Sequence, residues 1–241
     1  YGGDKSDIID GGDGDDHLYG GDGDDNIYGG PQRLADRTDN DTIFAGAGDD
    51  TVDGGAGDDT IYGEADTDTI YGGEGADHLY GGEGDDTLFA DENDVVLDGG
   101  AGHDTVDYSD ATRAVDWQSV SAQISNVEVV KGSDFDDTFI LPSDPFADLP
   151  ILGSQISIDG GRGDDTIVGN EGDNRISGGD DTDTLSGGAG IDSISGDGGN
   201  DTIRGGDENW LLGEGDVLNG GAGNDTIYGG QGNDSLLGRE G

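Results

Sequence analysis

Residues 45–107 read AGAGDDTVD, GGAGDDTIY, GEADTDTIY, GGEGADHLY, GGEGDDTLF, ADENDVVLD and GGAGHDTVD, seven nine-residue units in unbroken register. Position six is Asp in every unit but one, where Val95 stands, and position eight is apolar in all seven, from Val52 to Val106. The period extends outward on both sides. It covers Gly2–Tyr28, Gly160–Arg204 and Gly220–Leu237; two further units are lengthened by insertions at 31–39 and 207–215, and one stands alone at Gly132–Ile140 (GSDFDDTFI). Of the twenty units, eighteen carry Asp at position six, with Val95 and Asn174 as the exceptions, and all twenty are apolar at position eight.

One invariant apolar residue per nine fits a short strand whose central side chain points inward while its neighbours point out. Successive strands then lie on opposite walls of a thin solenoid, two units complete one coil, and residues 18 apart stack at about 4.8 Å per coil. Glycine supplies the positive φ that tight turns need, and Asp is a turn former with a short carboxylate held close to its own backbone. No segment shows helical periodicity with caps, so the expectation is an all-β fold with almost no helix.

The units resemble the calcium-binding nonapeptide repeats, GGxGxDxUx, of the repeats-in-toxin (RTX) or hemolysin-type family. The resemblance implies a parallel β-roll, a right-handed β-solenoid in which a six-residue Gly/Asp turn precedes a three-residue strand. It also implies Ca2+ as the cofactor and the position-six carboxylates as its ligands: Asp7, Asp16, Asp25, Asp41, Asp50, Asp59, Asp68, Asp77, Asp86, Asp104, Asp137, Asp165, Asp183, Asp192, Asp201, Asp216, Asp225 and Asp234.

Composition agrees with a cation requirement. The 241 residues include 52 Gly and 57 acidic against nine basic residues, a formal charge of −48, and only 29% are apolar. So few apolar side chains cannot offset the entropy of ordering the chain, and the excess charge repels itself along a narrow rod. A hard cation that takes six to eight oxygen ligands relieves both; magnesium suits the site less, because it prefers smaller octahedral cages and keeps its water. Turns 18 residues apart are expected to share ions: Asp7 with Asp25, Asp50 with Asp68, Asp59 with Asp77, Asp68 with Asp86, Asp165 with Asp183, Asp183 with Asp201 and, across an insertion, Asp201 with Asp225. Such pairing gives about a dozen ions. The turns at Val95 and Asn174 are expected to bind poorly. An EF-hand is excluded, because after Asp22-x-Asp24-x-Asn26 the residue Ile27 stands where that loop needs Gly.

The same numbers exclude other classes. The charge repels nucleic acid, no apolar run is long enough for a membrane-spanning helix, and the absence of Cys removes disulfides and thiolate sites. No HExxH, GxSxG or Walker-type loop occurs, and His17, His78 and His103 fall at outward positions, so no enzyme is expected. The chain divides into repeat blocks at 1–107 and 160–241 around an interruption at 108–159. That interruption reads either as larger β-coils with a Pro-rich outer loop at 141–150 or as a linker between two rolls. Trp117 and Trp210 lie in irregular segments. Position nine is aromatic at Tyr19, Tyr28, Phe44, Tyr62, Tyr71, Tyr80 and Phe89, which reads as a ladder of stacked surface rings or as a platform for sugar rings.

The sequence begins and stops inside repeats, with no signal peptide, and so reads as a piece of a larger secreted, extracellular protein. The reading is a monomeric calcium-binding module that folds on meeting calcium outside the cell and supports secretion and stability of its parent. The alternative is a module that binds polysaccharide or a cell surface.

Overall fold

The computed structural model describes residues 1–30, 39–120, 123–141, 155–207 and 215–238. They form two compact units, one of residues 1–110 with 123–127, the other of residues 111–122 with 128–241.

In the first unit twelve strands alternate between two sheets. The odd strands β1 (Ile8–Asp10), β3 (Asn26–Tyr28), β5 (Thr51–Ala56), β7 (Thr69–Glu74), β9 (Thr87–Phe89) and β11 (Thr105–Asp107) make one wall in that order. The even strands β2 (His17–Asp22), β4 (Thr42–Ala47), β6 (Thr60–Ala65), β8 (His78–Glu83), β10 (Val96–Ala101) and β12 (Ile124–Ser125) make the other. The second unit repeats the plan. Its odd wall is β13 (Val129–Lys131), β15 (Gln155–Arg162), β17 (Asp173–Asp180), β19 (Ser193–Gly198), β21 (Val217–Gly221) and β23 (Ser235–Gly238). Its even wall is β14 (Thr138–Ile140), β16 (Thr166–Val168), β18 (Thr184–Gly188), β20 (Thr202–Asp207) and β22 (Thr226–Gln231). Pairing within each wall is parallel, as a β-roll requires.

Register is set by position eight. Val52 pairs with Ile70, Ile61 with Leu79 and Ile167 with Leu185, each 18 residues on. Insertions do not disturb it: Leu18 still meets Ile43 and Ile194 still meets Leu218. A slip of one residue would turn every core side chain outward, so extra residues are excluded from the ladder instead. The stacked aliphatics from Ile27 to Val106 are almost wholly buried, as are those from Ile158 to Leu218. Burial lapses in the last coil, where Leu236 is 52% exposed.

Two features depart from the expected plan. Ten of the 23 described strands have six residues rather than three, because positions one to three of the next unit stay in the strand: Gly55 pairs with Gly73 and Ala56 with Glu74. The alternating run 120–125 is not one strand. Val120 closes the short helix α1 (Trp117–Val120), whose Trp117 packs edge-on against Phe139 at 6.3 Å, and only Ile124 and Ser125 are in β12. The insertion 31–38, Trp210 and the prolines at 142, 145 and 150 lie outside the described residues.

Candidate metal centre

With strands running into positions one to three, each turn contracts to the residues around positions four to six. The position-six side chain is thereby folded back under its own strand. Its carboxylate reaches the preceding coil: the N–H of Asp41 donates to Oδ1 of Asp59 at 2.7 Å, that of Asp50 to Asp68 at 2.9 Å and that of Asp59 to Asp77 at 2.8 Å. These bonds order the aspartates into rows. In the first unit one row runs Asp7, Asp25, Asp50, Asp68, Asp86, Asp104, and the other Asp16, Asp41, Asp59, Asp77. In the second, Asp137, Asp165, Asp183, Asp201 and Asp225 form one row, and Asp192, Asp216 and Asp234 follow Asn174 in the other. Every pair named from the sequence is adjacent in a row.

The second oxygen is the telling one. Oδ2 of Asp16, Asp25, Asp50, Asp59, Asp68, Asp77, Asp86, Asp165, Asp183 and Asp201 is buried and accepts no hydrogen bond. A buried, unpartnered carboxylate oxygen is costly. Beside it lies a carbonyl of the next coil. A methyl placed on Gly54 would come 2.5 Å from both Asp59 Oδ2 and the Gly72 carbonyl oxygen, so glycine at this position lets the two oxygens converge. Both polar atoms nearest that methyl are oxygens. Burial, reinforced by neighbouring carboxylates and opposed by the N–H of the preceding coil, pushes Asp68 and Asp165 up to about 8 and Asp59 and Asp183 up to about 7. Oxygen donors crowded until they retain protons fit a hard dication.

The family model of the RTX calcium-binding nonapeptide repeat, in a four-copy form, matches residues 1–33, 36–70, 62–97, 80–110, 157–185, 177–209 and 212–241. The chain belongs to this family. No curated protein matches the chain. RTX nonapeptides bind Ca2+, and the oxygen rows described above are the feature of this chain that fits it. Among the described residues no three His, Asp or Glu side chains converge on one point. Of the interruption 108–159, residues 111–156 lie outside the matched segments.

Three features of the RTX turns escape a reading by columns. Position five forms a ladder of its own with opposite polarity: Oδ1 of Asp49 accepts the N–H of Thr67 on the following coil at 3.1 Å, Asp58 that of Ala76 at 3.1 Å, and Asp85 that of His103 at 2.8 Å. The donor is backbone, so the following residue varies freely; the signal was the frequency of Asp and Asn at position five. In the unit with Val95, Asp94 takes over position six. It is buried and accepts the Asp77 N–H at 3.2 Å, while Val95 is 44% exposed. Tyr1 is the third. It sits 18 residues before Tyr19 and heads a stack Tyr1, Tyr19, Phe44, Tyr62, Tyr80 with centroids 4.6, 5.1, 4.9 and 4.8 Å apart. Tyr71 and Phe89 stack on the other wall at 4.4 Å. Stacking uses the ring faces and leaves edges toward solvent, which favours a stabilising ladder over a platform for sugar rings. No helix among the described residues is long and apolar enough to cross a membrane.

Proposed function

We propose that the chain is a calcium-dependent folding module of a larger secreted protein, monomeric, and ordered only where calcium is plentiful. The observation that supports this most directly is the row of buried, unpartnered Oδ2 atoms, most of them beside a carbonyl of the next coil. Without a cation the roll must either bury these charges unpaired or hold protons on them; both disfavour the fold at neutral pH. Calcium supplies the positive charge that lets the carboxylates stay ionised. The position-six aspartates would hold it through Oδ2, position-one carbonyls would complete the cage, and each ion would bridge two coils. Sharing of turns makes binding cooperative, as in any one-dimensional stack. Inside a cell, where calcium is scarce, the chain stays extended and suits passage through a narrow export channel; outside, it orders and stabilises its parent.

Calcium titration followed by circular dichroism and small-angle scattering tests this. The expected result is a disordered, expanded chain in EDTA and a sigmoidal rise of β signal with compaction in millimolar calcium, which magnesium does not reproduce. A compact β-rich state in EDTA at neutral pH would overturn it.

A further inference from the structure

The turns are of two kinds, and the sign of φ at position two separates them. Where Oδ2 is unpartnered, position two has positive φ: Gly55 at 104° before Asp59, Gly82 at 127° before Asp86, Gly161 at 103° before Asp165. Glycine itself is not the criterion. Glu64 at 80° and Asp197 at 66° hold the same conformation, and Oδ2 of Asp68 and Asp201 remains unpartnered in their turns.

Among the turns described from end to end, three differ. Their second residues are Asp91, Ser133 and Asn170, none with positive φ. In each, the N–H of position two is turned inward onto the side chain that ends the turn. Asp91 donates to Asp94 Oδ2 at 2.9 Å, Ser133 to Asp137 Oδ2 at 2.6 Å, and Asn170 to Asn174 Oδ1 at 2.9 Å. The Ser133 hydroxyl adds bonds to Asp137 Oδ1 at 2.8 Å and Oδ2 at 3.1 Å, and the Asn174 amide donates back to Asn170 Oδ1 at 3.1 Å. In open turns the position-two N–H serves the ladder instead, as Gly12 does to the Gly29 carbonyl at 3.1 Å. β9, β13 and β16, which run into the closed turns, stop at three residues, as β1 does before the open turn 11–16.

Resting on the calcium reading above, we infer that turns 90–95, 132–137 and 169–174 take no calcium, because donors of the chain itself do there what the cation does in the open turns. Asp137 thus leaves the set of ligands read from the sequence. The closed turns also mark where ion rows stop. Asp94 follows Asp77 at the end of one row, while Asp137 and Asn174 each stand at the head of another. Calcium loading is confined to defined blocks, and the turns between them hold without it.

The test is a gain of ions. Asn170→Gly with Asn174→Asp rewrites 169–174 as GGEGDD, the sequence of the open turn 81–86. Ser133→Gly with Phe135→Gly rewrites 132–137 as GGDGDD, the sequence of the open turn 11–16, and Phe135 is already 42% exposed. Calcium per chain is counted by native mass spectrometry and by elemental analysis after equilibrium dialysis, on variants whose β signal in calcium matches the parent. Each rewritten turn is expected to add one ion, whereas Asn174→Ala leaves the count unchanged. Unchanged counts in both rewritten variants, or a lower count in Asn174→Ala, overturn the inference while the calcium reading stands. A parent chain that binds no calcium overturns that reading instead.

Discussion

The turns Gly81–Asp86 (GGEGDD) and Gly169–Asn174 (GNEGDN) share four of six residues and hold their buried oxygen in opposite ways. In the first, Gly82 takes φ 127°, the ladder continues through it, and Asp86 keeps one oxygen with no partner. In the second, Asn170 lacks positive φ, its N–H faces inward, and the neutral Asn174 amide is satisfied within the turn. The residue at position six does not by itself fix what surrounds its buried oxygen. The backbone at position two decides whether the space beside the side chain is lined with oxygens alone or already supplied with a donor.

The comparison breaks or sharpens most sharply on removing calcium. At sub-saturating calcium and pH 8, hydrogen exchange is expected to lose protection first in the open turns of 45–89, while the amides of Asn170 and Gly172, both bonded inside the closed turn, exchange more slowly than their counterparts Gly82 and Gly84. Equal exchange in the two turns would remove the distinction.

Acid should partly substitute for calcium in the open turns. Burial raises Asp68 and Asp165 to about 8 and Asp59 and Asp183 to about 7, from an ordinary 3.8. The metal-free roll thus binds more protons than the unfolded chain across that interval. Its stability is greatest below about pH 4 and declines as pH rises toward about 8. Circular dichroism in EDTA should show more β signal at pH 4.5 than at pH 8. In calcium the midpoint should move to higher concentrations as pH falls, because protons compete for the same oxygens. A pH-independent midpoint would contradict the shared site.

A smaller effect is expected from Gly82→Ala. A side chain at φ 127° costs about 1–3 kcal/mol, and its Cβ would meet the carbonyl of Glu64. Calcium affinity should fall and the midpoint of denaturant unfolding in calcium should drop, whereas Asn170→Ala in the closed turn should leave the ion count unchanged. The smallest change is a gain. Glu64→Gly relieves a side chain held at φ 80° and should stabilise the calcium-loaded roll by about 1 kcal/mol or less, read as a higher denaturant midpoint.

Much of the molecule was legible in the sequence because its rules are columnar. Position eight told which side chains are inside, and a parallel ladder with period 18 followed from it; Ile61 over Leu79 and Asp59 beside Asp77 are direct consequences. The aromatic column placed Tyr62 on Tyr80, though Tyr1 was passed over as a chain end. Other features follow no column. Asp94 fills the buried place that Val95 vacates because the turn shortens by one residue, and the position-five ladder depends on a backbone donor that leaves no mark on the residue it belongs to.

What the sequence determined alone is the set of inward aliphatics and the spacing of the aspartates, since these rest on residue type and period. What only the tertiary structure decided is which of those aspartates keep an open oxygen. That depends on the φ of a neighbouring residue, and φ is set by the coil on either side. Glu64 and Asn170 both stand where the repeat has Gly; the ladder holds the first at positive φ, while in the second turn the N–H turns inward and the side chains bond to each other.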